Sequence, residues 1–174
     1  MAIRMSKRTW LILIIVIIAV ATIVGITLSR NSPGPSDLTL PIITWDETTL
    51  STLEGTPVVL NFWSIACYWC RQQLPYLESV AQQSGGEIKV IAINMVDNAA
   101  SVQNFFGDYE PTMIVALDRN RETFSDYSLK YDNPRGSIPF TFFVDSEGTV
   151  KGVRVGAFTS EAQLWDTLNS IFEL

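Results

Sequence analysis

The chain has 174 residues, 47% of them hydrophobic and 17% charged, which suits one domain with an accessory segment and excludes a disordered or multi-span membrane protein. The net charge is −6, but residues 1–30 hold four bases and no acid, so the rest carries 8 bases against 18 acids. A stretch of charge −10 lacks the clustered cations that bind phosphate, and we predict no nucleic-acid partner.

Histidine is absent, which excludes a Ser–His–Asp triad, a Cys–His protease pair and any metal site with histidine ligands. The two cysteines, Cys67 and Cys70, are too few for a structural zinc site, which usually takes four Cys or His ligands. We therefore expect no metal and no other cofactor, and the cysteines must act as a dithiol or as a plain disulfide.

The first segment of the chain has the pattern of a membrane anchor. Residues 1–8 are short and basic, and the charge-free run 10–28 that follows is about 28 Å long as a helix. We predict a cytoplasmic segment at residues 1–8 and a single transmembrane signal-anchor at residues 9–29. Because the bases precede the run, the positive-inside rule places the main domain on the extracytoplasmic side, periplasmic or facing the cell wall.

A cleaved signal peptide is the alternative, since Ala19-Val20-Ala21 has the small-x-small form of a cleavage site. The apolar run continues past that point, which favours the anchor. Both interpretations place the main domain in a compartment that tolerates disulfides. Residues 30–36 form a polar linker with Pro and Gly, and the main domain is predicted to occupy residues 37–174.

From residue 37 onward, patterns typical of strands alternate with patterns typical of helices. We predict strands at 38–44, 58–63, 88–96, 113–117, 140–144 and 150–155. We predict helices at 71–84, 101–109 and 121–131, and a last helix capped by Ser160 and ending near Phe172. A turn is expected at 49–55, and a hairpin turn at 145–148 joins the last two strands. This order predicts an α/β sheet covered on both faces.

The two cysteines follow the apolar run 58–63 and open an amphipathic segment with apolar residues at helical spacing. At a helix start, unpaired N–H groups and the positive end of the dipole favour a thiolate, the form that attacks disulfides. A second thiol three positions later resolves the mixed disulfide, so we predict a redox dithiol with Cys67 attacking and Cys70 resolving. An inert disulfide is the alternative, but so short a loop adds little stability.

These residues resemble the thioredoxin superfamily, and in particular its membrane-tethered TlpA/ResA type, which is associated with cytochrome c biogenesis. Beyond the cysteines, the match rests on Trp63 four residues before Cys67, on Pro75 eight residues after it, and on the segment 136–145. The resemblance implies a thioredoxin-like fold, in which a central mixed sheet is flanked by helices, and the activity of a thiol–disulfide oxidoreductase.

The resemblance also implies roles for residues outside the dithiol. Pro139 is expected to be a cis-proline facing the cysteines, which leaves the backbone of Ile138 free to pair with an extended substrate segment. Trp63 is either a core aromatic or a lid beside the disulfide that contacts substrate. Asp97 stands where the ResA-like branch has a functional Glu, so it is a candidate for proton handling, with an ordinary solvated acid as the alternative.

The segment between the cysteines departs from the family. Relatives often have Pro immediately before the second cysteine, whereas this chain has Trp69 with Tyr68 beside it. Residues at these positions alter the relative stability of dithiol and disulfide. Two bulky aromatics also offer an apolar contact surface, and we predict that both bind the partner.

The main functional prediction is a reductase that takes electrons from a membrane thiol donor and passes them to a protein disulfide. The resemblance points to apocytochrome c as a substrate. A disulfide-donating oxidase or isomerase on the same fold is the first alternative. A thiol peroxidase is disfavoured, because Ser64 stands where related peroxidases have Thr and no proline precedes it nearby. A non-catalytic membrane-bound module is the remaining alternative.

Overall fold

The computed structural model describes Leu53 and residues 55–173. The predicted anchor at 9–29, the linker at 30–36 and the strand at 38–44 therefore lie outside the described residues, as does most of the turn at 49–55. Among the helices of the described part, none is both long enough and apolar enough to cross a membrane.

Residues 55–173 form five strands and four helices. The strands are β1 (Val58–Trp63), β2 (Lys89–Asn94), β3 (Ile114–Leu117), β4 (Phe140–Val144) and β5 (Val150–Val155). The helices are α1 (Tyr68–Gln83), α2 (Ala99–Phe106), α3 (Glu122–Lys130) and α4 (Glu161–Phe172). The predicted bounds of β1, β4 and β5 are confirmed, and so is Ser160 as the cap of the last helix.

The strands form one mixed sheet in the order β3-β2-β1-β4-β5. The central strand β1 runs parallel to β2 and antiparallel to β4, and all six of its residues are buried. A continuously apolar strand is typical of this position, because both of its faces pack against other layers. The predicted α/β architecture with a mixed sheet is confirmed.

Alternate residues of β1 point to two cores, one on each face of the sheet. Val59 and Trp63 join the core beneath α1, α2 and α4, where Leu77 and Leu164 are also fully buried. Val58, Leu60 and Phe62 join the core on the other face, which is rich in aromatic rings contributed by α3 and β4 (Phe124, Tyr127, Phe140 and Phe142).

Local side-chain caps explain three of the differences between the observed and the predicted bounds; α2 also ends at Phe106, three residues earlier than predicted. Helix α1 begins at Tyr68, three residues earlier than predicted, because Cys67 itself caps it. Strand β2 ends at Asn94, whose Oδ1 accepts from the backbone N–H groups of Val96 and Asp97 and turns the chain. Helix α2 begins early because Asn98 caps it through the N–H of Ser101, at 2.9 Å.

A buried carboxylate fastens α1 to the segment that leads into β3. Glu78 is 7% exposed, and its oxygens accept from the N–H groups of Thr112 and Met113, the Tyr109 hydroxyl and the Gln82 amide, at 2.8–3.0 Å. Burial alone raises the pKa of this carboxyl, but the donors of Met113, Thr112 and Tyr109 outweigh it, so the pKa lies below its ordinary value.

We expect Glu78→Gln to lower the free energy of unfolding by about 1–3 kcal/mol at neutral pH, because an amide N–H₂ would face buried donors. Since the folded-state pKa is below the unfolded one, the carboxylate's stabilisation is complete above pH 4.5 and is lost as the pH falls through the folded-state pKa. Urea unfolding at neutral and acidic pH measures both effects. Glu87→Gln, at an exposed site, is the control, and an equal loss there would contradict this role for Glu78.

Candidate active site

The two cysteines lie where β1 meets α1. The N–H of Cys67 donates to the carbonyl of Ser64 over 3.2 Å and closes the turn between strand and helix. Cys67 and Cys70 are joined as a disulfide, with their Cα atoms 5.2 Å apart. Cys70 is fully buried in the core, whereas Cys67 is partly exposed. A partner therefore reaches the disulfide at Cys67.

The surroundings of Cys67 favour a negative charge on its sulfur. Its Sγ accepts a hydrogen bond from the backbone N–H of Cys70 at 3.1 Å, in the position of a helix N-cap. The positive end of the dipole of α1 lies here, and the first turn has no acidic side chain to oppose it. In the reduced protein, these groups stabilise the thiolate of Cys67.

The segment before β4 forms a wall opposite the cysteines. The Ile138–Pro139 bond is cis, as the family resemblance implies, and the carbonyl oxygen of Ile138 lies 3.9 Å from the Cys67 sulfur. The Pro139 carbonyl accepts from the N–H of Gly156 at 2.9 Å, which ties the wall to the end of β5. The structure thus brings Cys67 and Ile138 together, in the arrangement that the family resemblance implies.

Asn133, which the sequence did not single out, shapes the loop that carries this wall. Its side chain is 3% exposed; it donates to the carbonyl of Ser137 and accepts from the Ser137 N–H, both at 2.9 Å. The Asn133 carbonyl also accepts from the N–H of Gly136. These bonds close the loop directly before Ile138. An Asn preceding Pro134 is a turn-forming pair, and that signal was available in the sequence.

The aromatic residues around the cysteines divide into exposed and buried groups. Tyr68 and Trp69 are 56% and 63% exposed, and their rings meet edge to face at 5.1 Å between centroids. Trp63 is fully buried, and its ring packs against Phe105 and Phe106 of α2. Of the two roles that the sequence left open for Trp63, the structure shows the core aromatic, and this ring offers a substrate no surface in the disulfide form.

Asp97 lies at the end of the turn after β2, where its carboxylate contacts the segment that leads to Cys67. Its Oδ2 accepts from the backbone N–H of Ile65 and from the amide of Asn94, both at 2.9 Å. Ile65 belongs to the turn between β1 and Cys67. The carboxylate therefore links the ends of two neighbouring strands and fixes the path of the chain into the site.

Replacing Asp97 with a neutral hydrogen-bond acceptor tests whether its side chain only positions the turn or also handles protons. We expect Asp97→Asn to keep most of the disulfide-exchange rate, since an amide oxygen still accepts both bonds, whereas Asp97→Ala loses about 1 kcal/mol of support for the turn. Rates measured with a small disulfide across a pH series provide the test. Equal losses in both variants, with an altered pH profile, would instead support proton handling by Asp97.

An uncharged polar network, absent from the sequence prediction, lies in the core beside α1. The Thr141 hydroxyl accepts from the amides of Asn61 at 2.9 Å and Gln73 at 3.4 Å, and the Gln73 oxygen accepts from the N–H of Phe158 at 2.8 Å. Gln73 lies one helical turn after Cys70. The network joins β1, α1, β4 and the segment that leads into α4, and no sequence pattern links residues so far apart along the chain.

A mixed sheet covered by helices, a dithiol at a strand-to-helix junction and a cis-proline loop facing it define a thioredoxin-like thiol–disulfide oxidoreductase. The Redoxin family model matches residues 36–168, and the chain belongs to that family. The resemblance to the thioredoxin superfamily and its TlpA/ResA-like members is confirmed.

Individual relatives agree with this assignment. The thioredoxin-like protein YneN of Bacillus subtilis is 27% identical over 79% of this chain and 77% of its own length. The thiol-disulfide oxidoreductase ResA of the same organism is 30% identical, over 70% of this chain and 65% of ResA. The structure of a thioredoxin family thiol:disulfide interchange protein from Chlorobium tepidum has a TM-score of 0.67 at 22% identity, covering 80% of this chain and 94% of that protein. This last likeness establishes the fold.

Proposed function

We propose that this chain is a membrane-anchored, extracytoplasmic reductase of protein disulfides. The observation that carries the proposal is the asymmetry of the dithiol: Cys67 is the accessible sulfur, and it lies between the N–H of Cys70 and the carbonyl of Ile138. A static disulfide has no need of an exposed, charge-stabilised sulfur next to a buried one.

In the proposed reaction, the Cys67 thiolate attacks one sulfur of the partner's disulfide, and the partner's other sulfur leaves as a thiolate. The mixed disulfide holds the partner against the protein. Cys70 then gives up its proton to the partner thiolate released first and attacks the Cys67 sulfur, which releases the partner's second sulfur as a thiolate and forms the Cys67–Cys70 disulfide. Two electrons have passed to the partner, and a membrane thiol donor restores the dithiol.

The proposed binding surface consists of the exposed rings beside Cys67 and the wall opposite it. Tyr68 and Trp69 supply apolar area around the sulfur. An extended segment of the partner pairs with the backbone of Ile138, next to Pro139. Exposed aromatic side chains of this kind are enriched where proteins bind other proteins.

The direction of electron flow, the anchor and the pathway rest on relatives and on sequence. The apolar run at residues 9–29 supports a single transmembrane helix, with the N-terminus in the cytoplasm. The similarity to ResA supports thiol–disulfide oxidoreductase activity. The TlpA/ResA resemblance implies the reducing role and apocytochrome c as a substrate.

We expect Cys70→Ser, in the full chain expressed in cells, to accumulate mixed disulfides with partner proteins, because nothing then resolves the bond at Cys67. Non-reducing gels followed by mass spectrometry identify the captured proteins, and an extracytoplasmic site predicts that they are exported ones. Cys67→Ser is the matched control and should capture none. If the two variants behave alike, Cys67 is not the attacking thiol.

An oxidase that donates disulfides is the second candidate, and one observation favours it. The N–H of Cys70 stabilises the thiolate at Cys67, hence the reduced form of the pair, which is how strongly oxidising members of this fold act.

The reduction potential of the Cys67–Cys70 pair separates the two candidates. For a reductase, we expect a value of about −270 mV or below, because the dithiol must lose electrons readily. Equilibration with glutathione or dithiothreitol buffers, followed by alkylation of the remaining thiols, measures it. A value near about −120 mV would assign the chain to the oxidases instead.

A further inference from the structure

A groove of about 440 Å³ runs along one side of α1, away from the wall formed by Ile138 and Pro139. Its apolar lining comes from Leu74, Phe106 and Met113, and the ring of Phe105, 37% exposed, stands at its edge. Nothing in the proposed reaction uses this groove.

One end of the groove, at Arg71, lies about one helical turn from the attacking cysteine. Residues four apart on a helix lie one above the other, so Cys67, Arg71 and Pro75 form a single stripe, which Glu78 and Gln82 extend. The last four of these line the groove. From Arg71 to Gln82 the stripe is about 16 Å long, at 1.5 Å per residue, a length that about five residues of an extended peptide cover.

Arg71 is the only base among the residues that line the groove, and it lies at the end near Cys67. The Glu78 carboxylate is already occupied by four donors, so it does not present a free acceptor. Arg71 is exposed, and within residues 55–173 no carboxylate forms an ion pair with it. Pro75 has no N–H, so the carbonyl of Arg71 lacks its ordinary helical donor.

We propose that this groove binds the segment flanking the partner's reactive cysteine and selects an acidic side chain close to that cysteine, followed by an apolar one. The proposal rests on the reductase function argued above. Arg71 lies one helical turn, about 5.4 Å, beyond Cys67, and two residues of extended chain span about 6.6 Å. The acidic residue is therefore expected two positions from the cysteine, with the apolar residue over Leu74 and Phe105.

The test uses short peptides in which a central cysteine is flanked on both sides by glycine, then aspartate, then leucine. Two copies are joined by one disulfide, so each turnover oxidises the Cys67–Cys70 dithiol and releases two peptide thiols. Matched peptides carry lysine in place of aspartate, or serine in place of leucine. The full chain, reduced beforehand, is mixed with each peptide dimer, and the released thiols are followed over time.

We expect the aspartate peptide to be reduced about fivefold faster than the lysine peptide at low salt, with the ratio shrinking towards one as salt screens the Arg71 contact. The serine-for-leucine peptide should react more slowly than its parent, because it buries less apolar surface. The ratio between peptides is the measurement, since it cancels any change in the reactivity of Cys67 itself.

Arg71→Glu should reverse the preference, so that the lysine peptide becomes the faster one. Lys89→Glu makes the same charge change at the start of β2, the opposite end of the sheet from the cysteines, and should keep the preference for aspartate. A protein that reduces all the peptides at one rate overturns the groove proposal and leaves the reductase function standing. If the protein reduces none of the peptides, both the groove proposal and the reductase function are overturned. If the Lys89→Glu variant also loses the preference for aspartate, the preference comes from net charge, and the groove proposal is overturned.

Discussion

The interaction on which the site depends is the hydrogen bond from the N–H of Cys70 to the sulfur of Cys67. A helix leaves its first N–H groups without partners, and most helices satisfy one of them with a hydroxyl or carboxyl side chain. Here the attacking sulfur is itself the cap of α1. The start of the helix and the chemistry of the dithiol are therefore one feature, because a thiolate accepts this bond better than a neutral sulfur does.

The second constraint is the pairing of β1 with β4, which brings the two halves of the site together. Phe62 lies opposite Phe140 in this antiparallel pair, so the end of β1 and the start of β4 lie at the same edge of the sheet. From β1 the chain continues into the turn that ends at Cys67, and it enters β4 through Pro139. The contact between Cys67 and Ile138 thus follows from strand register, with the loop held by Asn133 fixing its detail.

Sequence patterns predicted the features of this protein that depend on neighbouring residues. The apolar run of β1, the cysteine spacing and the cap at Ser160 are local signals, and the structure has each of them where it was expected. The start of α1 was misplaced because a cysteine is not an expected helix cap. The start of α2 was also predicted too late, although its cap, Asn98, is of an expected type.

Long-range contacts were beyond sequence reasoning. Glu78 looks like one more polar residue on an amphipathic helix, and only the fold shows that its partners lie more than thirty positions away. Gln73 and Thr141 are separated by 68 residues, and their contact depends on how α1 packs against β4. Trp63 remained undecided between core and site for the same reason, since the burial of its ring depends on α2.

The polar groups near the dithiol bear on how protons move during the reaction. Asp97 accepts from the N–H of Ile65, and Asn61, Gln73 and Thr141 carry amides and a hydroxyl, so these three supply no acid or base beside Cys70. The proposed reduction nevertheless balances without one. The first attack releases a partner thiolate, whose ordinary pKa of about 8.5 lets it take up the proton that Cys70 loses. One of the partner's two thiolates thus receives the proton of Cys70, and the other takes up a proton from solvent, which replaces the one that Cys67 released when it became a thiolate.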